Sequence, residues 1–148
     1  MELRRAARSD AEWINAAYAR VHFLPSELER DLVIVAQVDG EHAGIGRLVP
    51  AGEQAYELGG MLVFEDFRGR GVARAIIDEL LRNAGEADVY CIPFADLEPV
   101  YAKAGFARRE RDGALPEHIV EKLDWCEREM RRPVILMQLI RSGGAAGS

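Results

Sequence analysis

Seven consecutive residues, Arg68-Gly69-Arg70-Gly71-Val72-Ala73-Arg74, gather three guanidinium groups and two glycines where an apolar run gives way to a helical pattern. The chemistry that suits them is anion binding. The first amides of a helix have no intrahelical partner, and the helix dipole adds partial positive charge there. Gly69 and Gly71 leave out the Cβ that would hold an anion off the backbone. Arginine adds full charge and fork-shaped donors. Together these describe a pyrophosphate cradle. A solvated basic turn is the weaker reading, because cations at a helix N-terminus oppose the dipole unless an anion neutralises them. A Walker loop would need a Lys-Ser/Thr pair that is missing here. A dinucleotide fingerprint would need a third glycine where Arg74 stands.

Such a cradle has to be held by a strand before it and a helix after it. Residues 55–64, AYELGGMLVF, read as the strand. Gly59-Gly60 in its middle weakens pairing and predicts a bulge or a close backbone approach. Val72, Ala73, Ile76, Ile77, Leu80 and Leu81 form one apolar stripe, which predicts a helix over 72–83 with Gly85 at its stop. Upstream, residues 32–50 read as a hairpin turning at Asp39-Gly40. Residues 1–6 read as a first strand. The S-x-x-E patterns at Ser9–Glu12 and Ser26–Glu29 predict two helix starts. Downstream, 87–94 is a strand, and Asp96 is expected to cap a helix that Gly105 stops. Residues 106–111 form a strand, 115–130 a helix and 133–140 the last strand. This order predicts an α/β (α+β) domain with a mixed, largely antiparallel central sheet flanked by helices. It occupies residues 1–141, and 142–148 read as a flexible tail.

The chain has 148 residues and a net charge of −6, which argues against a general nucleic-acid partner. Cys91 and Cys126 read as buried, reduced thiols. His22, His42 and His118 are scattered without ligand spacing, so no metal is expected. No stretch approaches a membrane span and no signal peptide opens the chain, so a cytoplasmic location is expected.

Arg68-Gly69-Arg70-Gly71-Val72-Ala73 resembles the phosphate signature [RQ]-x-x-G-x-[GA] of the GNAT superfamily of N-acetyltransferases. The approach MLVFEDFRG is similar to the family's L-x-V-x-P-x-(Y/F)-R-G, with Glu65 at the usual proline. YAKAGF, residues 101–106, resembles its Y-x-K-x-G-F, and 35–48 resembles its β2–β3 hairpin. The likeness spans about residues 2 to 110, with the elements in the family's order.

The resemblance implies a sheet splayed between strands 4 and 5, with acetyl-CoA as the acyl donor. Backbone groups of Met61, Leu62 and Val63 would contact the pantetheine arm, and a Val63 or Leu62 amide would face the oxyanion. Residues 68–74, Arg68 through Arg74, would hold the pyrophosphate. Tyr101 matches the family's general acid. Glu57, six residues before Val63 and so expected on the same strand face, is the candidate general base. Phe94 stands where many members carry asparagine. The helix over 115–130, opened by His118, is expected to border the acceptor pocket. The implied activity is N-acetylation of a small-molecule or peptide amine by direct transfer, with a homodimer as one possible assembly. The rival function is an acyl-CoA-binding module without catalysis. A tRNA-acetylating enzyme of the same fold is disfavoured by the acidic charge.

Overall fold

Asp39 and Gly40 both adopt positive φ, 51° and 79°, and this turn joins β2 (Leu32–Val38) to β3 (Glu41–Gly52) in an antiparallel hairpin. The computed structural model describes residues 1–141; the expected tail at 142–148 lies outside the described residues. In chain order the other elements are β1 (Glu2–Arg5), α1 (Ala11–Arg20), β4 (Ala55–Val63), α2 (Val72–Ala84) and β5 (Asp88–Cys91). They are followed by α3 (Glu98–Lys103), β6 (Phe106–Arg108), α4 (Glu117–Glu129) and β7 (Met137–Leu139). The seven strands form one sheet in the order β1-β2-β3-β4-β5-β7-β6. All neighbours are antiparallel except β4 and β5, which run parallel.

That parallel pair is short. Ala55 to Leu58 register with Asp88 to Cys91, and pairing then stops. From Gly59 to Val63, β4 keeps its β3 neighbour and loses its β5 neighbour. The sheet therefore splays between strands 4 and 5, as the resemblance implies.

Alternation along the strands sends side chains to two layers. One face presents Ile34, Ala36, Leu48, Leu58, Val89 and Cys91 to α2 and α3. The opposite face presents Val33, Val35 and Ile45 to α1, and Ala51, Ala55 and Tyr90 to α4. Val72, Ile76, Ile77 and Leu80 of α2 are all buried, each stabilising the layer by about 1.5–3 kcal/mol. Gly44 and Gly46 let α2 lie close on the sheet. A Cβ at Gly46 would stand 2.5 Å from the Met61 sulfur and 2.7 Å from Ile76 Cγ2.

Three local expectations are corrected. The Ser9–Glu12 capping box does not form. Arg8–Asp10 is a 3-10 turn, and the Asp10 carboxylate instead accepts the Ala7 amide at 2.7 Å, the Trp13 indole N–H at 2.8 Å and both Arg4 terminal nitrogens. A carboxylate bound to an arginine outcompetes a serine hydroxyl for this role. Residues 26–29 do not make a helix, because the Ser26 hydroxyl donates to buried Asp31 at 2.6 Å. Asp96 does not cap α3; it lies in a 3-10 turn and accepts from Arg132 Nη2 at 2.7 Å.

Candidate active site

The bulge predicted at Gly59-Gly60 is present. Ile45 and Arg47, two apart on β3, register with Leu62 and Gly59, three apart on β4. One extra residue is accommodated, and Gly60 sits at φ 58°. The Tyr18 hydroxyl of α1 donates to the Gly60 carbonyl at 2.8 Å and pins the bulge.

The extra residue reverses the alternation of everything after it. Glu57 and Val63 are therefore not on one face. Glu57 and Leu62 face the α1–α4 layer, whereas Met61 and Val63 pack with the α2–α3 layer. A spacing of six means one face only in an unbulged strand.

On the α2 side, Gly69 and Gly71 both take φ 78°, and a Cβ on either would meet nothing within 4 Å. The backbone there is open, and among the described residues no side chain caps the α2 N-terminus. These residues fit a pyrophosphate. The three arginines are not equivalent, however. Arg68 Nε donates to the Val63 carbonyl at 3.2 Å. Arg74 pairs with Asp78 one turn along the helix at 2.9 Å. Arg70, exposed, rests its guanidinium 5.5 Å from the Phe67 ring centroid and has no carboxylate partner among the described residues.

Tyr101 of α3 is buried beside Cys91, the last residue of β5 before the sheet opens, and meets Phe106 edge-on at 6.0 Å. Burial first, then the Cys91 sulfur, pushes its phenol well above the ordinary range, so it stays protonated. Cys91 and Cys126 are both free and buried, as expected.

Glu57 is only 3% exposed. Lys122 Nζ of α4 donates to its two oxygens at 3.0 and 3.3 Å, and His118 Nε2 lies 3.3 Å from Oε1. Burial alone would raise its pKa. The His118 and Lys122 contacts and the nearby Arg47 charge outweigh burial and hold it at about 2. Such a carboxylate is ionised but a poor proton acceptor. Phe94 lies beneath the Arg132 guanidinium at 3.9 Å.

Sequence reasoning passed over Arg47, Tyr18 and Lys122. Arg47 carried a readable signal: it is the one charge within the otherwise apolar stretch 43–52 of a central strand. Tyr18 and Lys122 read as ordinary helix residues, and only the packing of α1 and α4 brings them to β4.

The profile of the acetyltransferase (GNAT) domain matches residues 29–108, more than half of the chain. No curated protein sequence matches. Among solved structures, the Rv2747 protein of Mycobacterium tuberculosis in complex with CoA superposes with a TM-score of 0.76 at 21% identity, covering 95% of this chain and 99% of that one. N-acetylglutamate synthase from Neisseria gonorrhoeae, complexed with coenzyme A and N-acetyl-glutamate, gives 0.71 at 17% identity, covering 95% of this chain and 35% of that one. The ribosomal-protein-S18-alanine N-acetyltransferase of Escherichia coli gives 0.63 at 19% identity, with 93% and 92% covered.

Proposed function

The chain belongs to the GNAT acetyltransferase family, and from that premise we propose that it transfers the acetyl group of acetyl-CoA to a primary amine within a ternary complex. The observation that carries this reading is the edge of β4 from Gly59 to Val63, unpaired among the described residues and set between the open α2 N-terminus and buried Tyr101. A free strand edge offers backbone groups to an amide-bearing chain such as pantetheine. Met61, Leu62 and Val63 supply that edge. The amides at the start of α2, the Gly69 and Gly71 backbone and the Arg70 charge bind the pyrophosphate. Arg68 bridges strand and cradle through Val63.

In the transfer, the amine nitrogen bonds to the thioester carbonyl carbon and the carbon–sulfur bond breaks. The amine loses a proton and the departing thiolate gains one. Tyr101, held protonated, donates to the sulfur. A β4 backbone amide stabilises the oxyanion. Glu57 is a positioning residue: its charge anchors Lys122 and orients His118, whose imidazole can accept the proton from the amine. Acetyl-CoA as donor also favours a cytoplasmic location. Among the described residues no helix is long and apolar enough to cross a membrane.

Measuring free CoA thiol across amino acids, polyamines, aminoglycosides and peptides tests the proposal. Turnover with intersecting initial-rate lines is expected. Tight acetyl-CoA binding without turnover of any amine would instead mark a binding module, and parallel lines would replace direct transfer with an acyl-enzyme.

A further inference from the structure

Arg47 is 3% exposed, and its Nε and Nη1 atoms are buried without a hydrogen-bond partner among the described residues. Buried polar groups are almost always satisfied, and a buried cation without an anion on its donors is costly. Glu57 lies near enough to feel its charge, yet it directs its own bonds to Lys122 and His118. Arg47 is instead stacked over the Tyr18 ring at 4.5 Å. It lies directly under the bulge, where a Cβ on Gly60 would come within 2.7 Å of its Nε.

Its place in the sheet gives this orphan a use. Arg47 is on the α1–α4 face, opposite the layer that α2 and α3 fill with apolar side chains. α1 and α4 head separate apolar clusters, and the strip of sheet between them carries Arg47 and Glu57. The polar side chains nearest the open β4 edge are on this face, because the opposite face is filled with apolar ones.

We propose that Arg47 is the specificity anchor of the acceptor site and that it takes the carboxylate of an acceptor bearing both an amine and a carboxylate, such as a free amino acid. A guanidinium matches a carboxylate in charge and in donor geometry, and a carboxylate taken end-on or side-on would satisfy one of the two unpartnered nitrogens. The Tyr18 ring contact holds the guanidinium in place in advance, which reduces the ordering cost of binding. This inference rests on the acetyltransferase reading and narrows its acceptor class.

Matched acceptor pairs test it: alanine against ethylamine, phenylalanine against phenethylamine, lysine against cadaverine. The full-length wild type should favour the carboxylated member by at least tenfold in kcat/KM in at least one pair. In Arg47→Met that ratio should fall towards one, and in Arg47→Lys, which keeps charge without the fork, it should fall partway. Calorimetry of N-acetyl-alanine, N-acetyl-phenylalanine and Nα-acetyl-lysine against CoA-saturated protein gives a second readout. At least one should bind the wild type, and Arg47→Met should weaken that binding at least tenfold. A wild-type preference for the decarboxylated amines, a ratio that survives in Arg47→Met, or no binding of any acetylated product overturns the assignment. Loss of acetyl-CoA binding by the wild type would instead strike the acetyltransferase reading. Intact donor binding without a carboxylate effect strikes Arg47 alone.

Discussion

The two faces of the sheet are built by opposite rules. Under α2 and α3 the layer is apolar and tight, with Gly44 and Gly46 admitting the helix almost to backbone contact. Between α1 and α4 the same sheet buries Arg47 and Glu57, with Tyr18, His118 and Lys122 reaching in from the helices. The first face holds α2 and its N-terminal turn in place and asks little of particular side chains beyond size. The second concentrates charge in a small volume, where each group depends on its neighbours. Sites for a common donor can be made of backbone and helix geometry. Sites that discriminate among acceptors need side chains, and buried charge is discriminating because a wrong partner leaves it unpaired.

Substitutions on the two faces should therefore fail differently. The largest effect is expected at their junction. Gly60→Val forces a β-branched residue into φ 58° and places its Cβ 2.5 Å from the Tyr18 hydroxyl oxygen. Denaturant titration should show a loss of about 4 kcal/mol; a stability within experimental error of wild type would remove the bulge as a structural keystone.

Glu57→Gln breaks the buried charge cluster and should cost about 3 kcal/mol, read by the same titration. The sign of its pH dependence follows from the lowered pKa. The stabilisation from Glu57 is present above the ordinary 4.5 and is lost as pH falls towards about 2. The difference between wild type and Glu57→Gln should therefore shrink through that window. A constant difference would detach the charge from the stability.

Tyr101→Phe keeps the packing against Phe106 and removes only the proton donor. It should lower kcat by about 100-fold, with little change in melting temperature or in KM for acetyl-CoA. Loss of stability with kcat retained would make Tyr101 a core residue like its neighbours. Arg70→Glu changes an exposed side chain at the edge of the α2–α3 layer and should weaken acetyl-CoA binding about tenfold by calorimetry, with the effect shrinking at high salt. Unchanged affinity would leave the helix amides as the whole of the phosphate site.

The half of the candidate site around β4 and the start of α2 was legible in the sequence because its signals are local. The RGRG turn, the α2 stripe, the Asp39-Gly40 hairpin and the paired glycines each depend on residues within a few positions of one another, and each is present where periodicity and turn chemistry put it. The local signals that misled were polar ones. Ser9, Ser26 and Asp96 have capping chemistry, but Asp10, Asp31 and Arg132 supplied stronger charged partners.

By itself, then, the sequence determined the order of elements, the glycine-arginine turn that opens α2 and the presence of an irregularity at Gly59-Gly60. Tertiary structure decided what that irregularity does. A single added residue turned Val63 away from Glu57 and put them in different layers, which strict alternation cannot anticipate. Tertiary structure also chose the partners of Glu57, 61 and 65 residues away on α4, and left Arg47 Nε and Nη1 without a hydrogen-bond partner among the described residues. Long-range ion pairing leaves no periodic trace in a chain, because it depends on which helix faces come to rest beside a strand and not on the spacing along it.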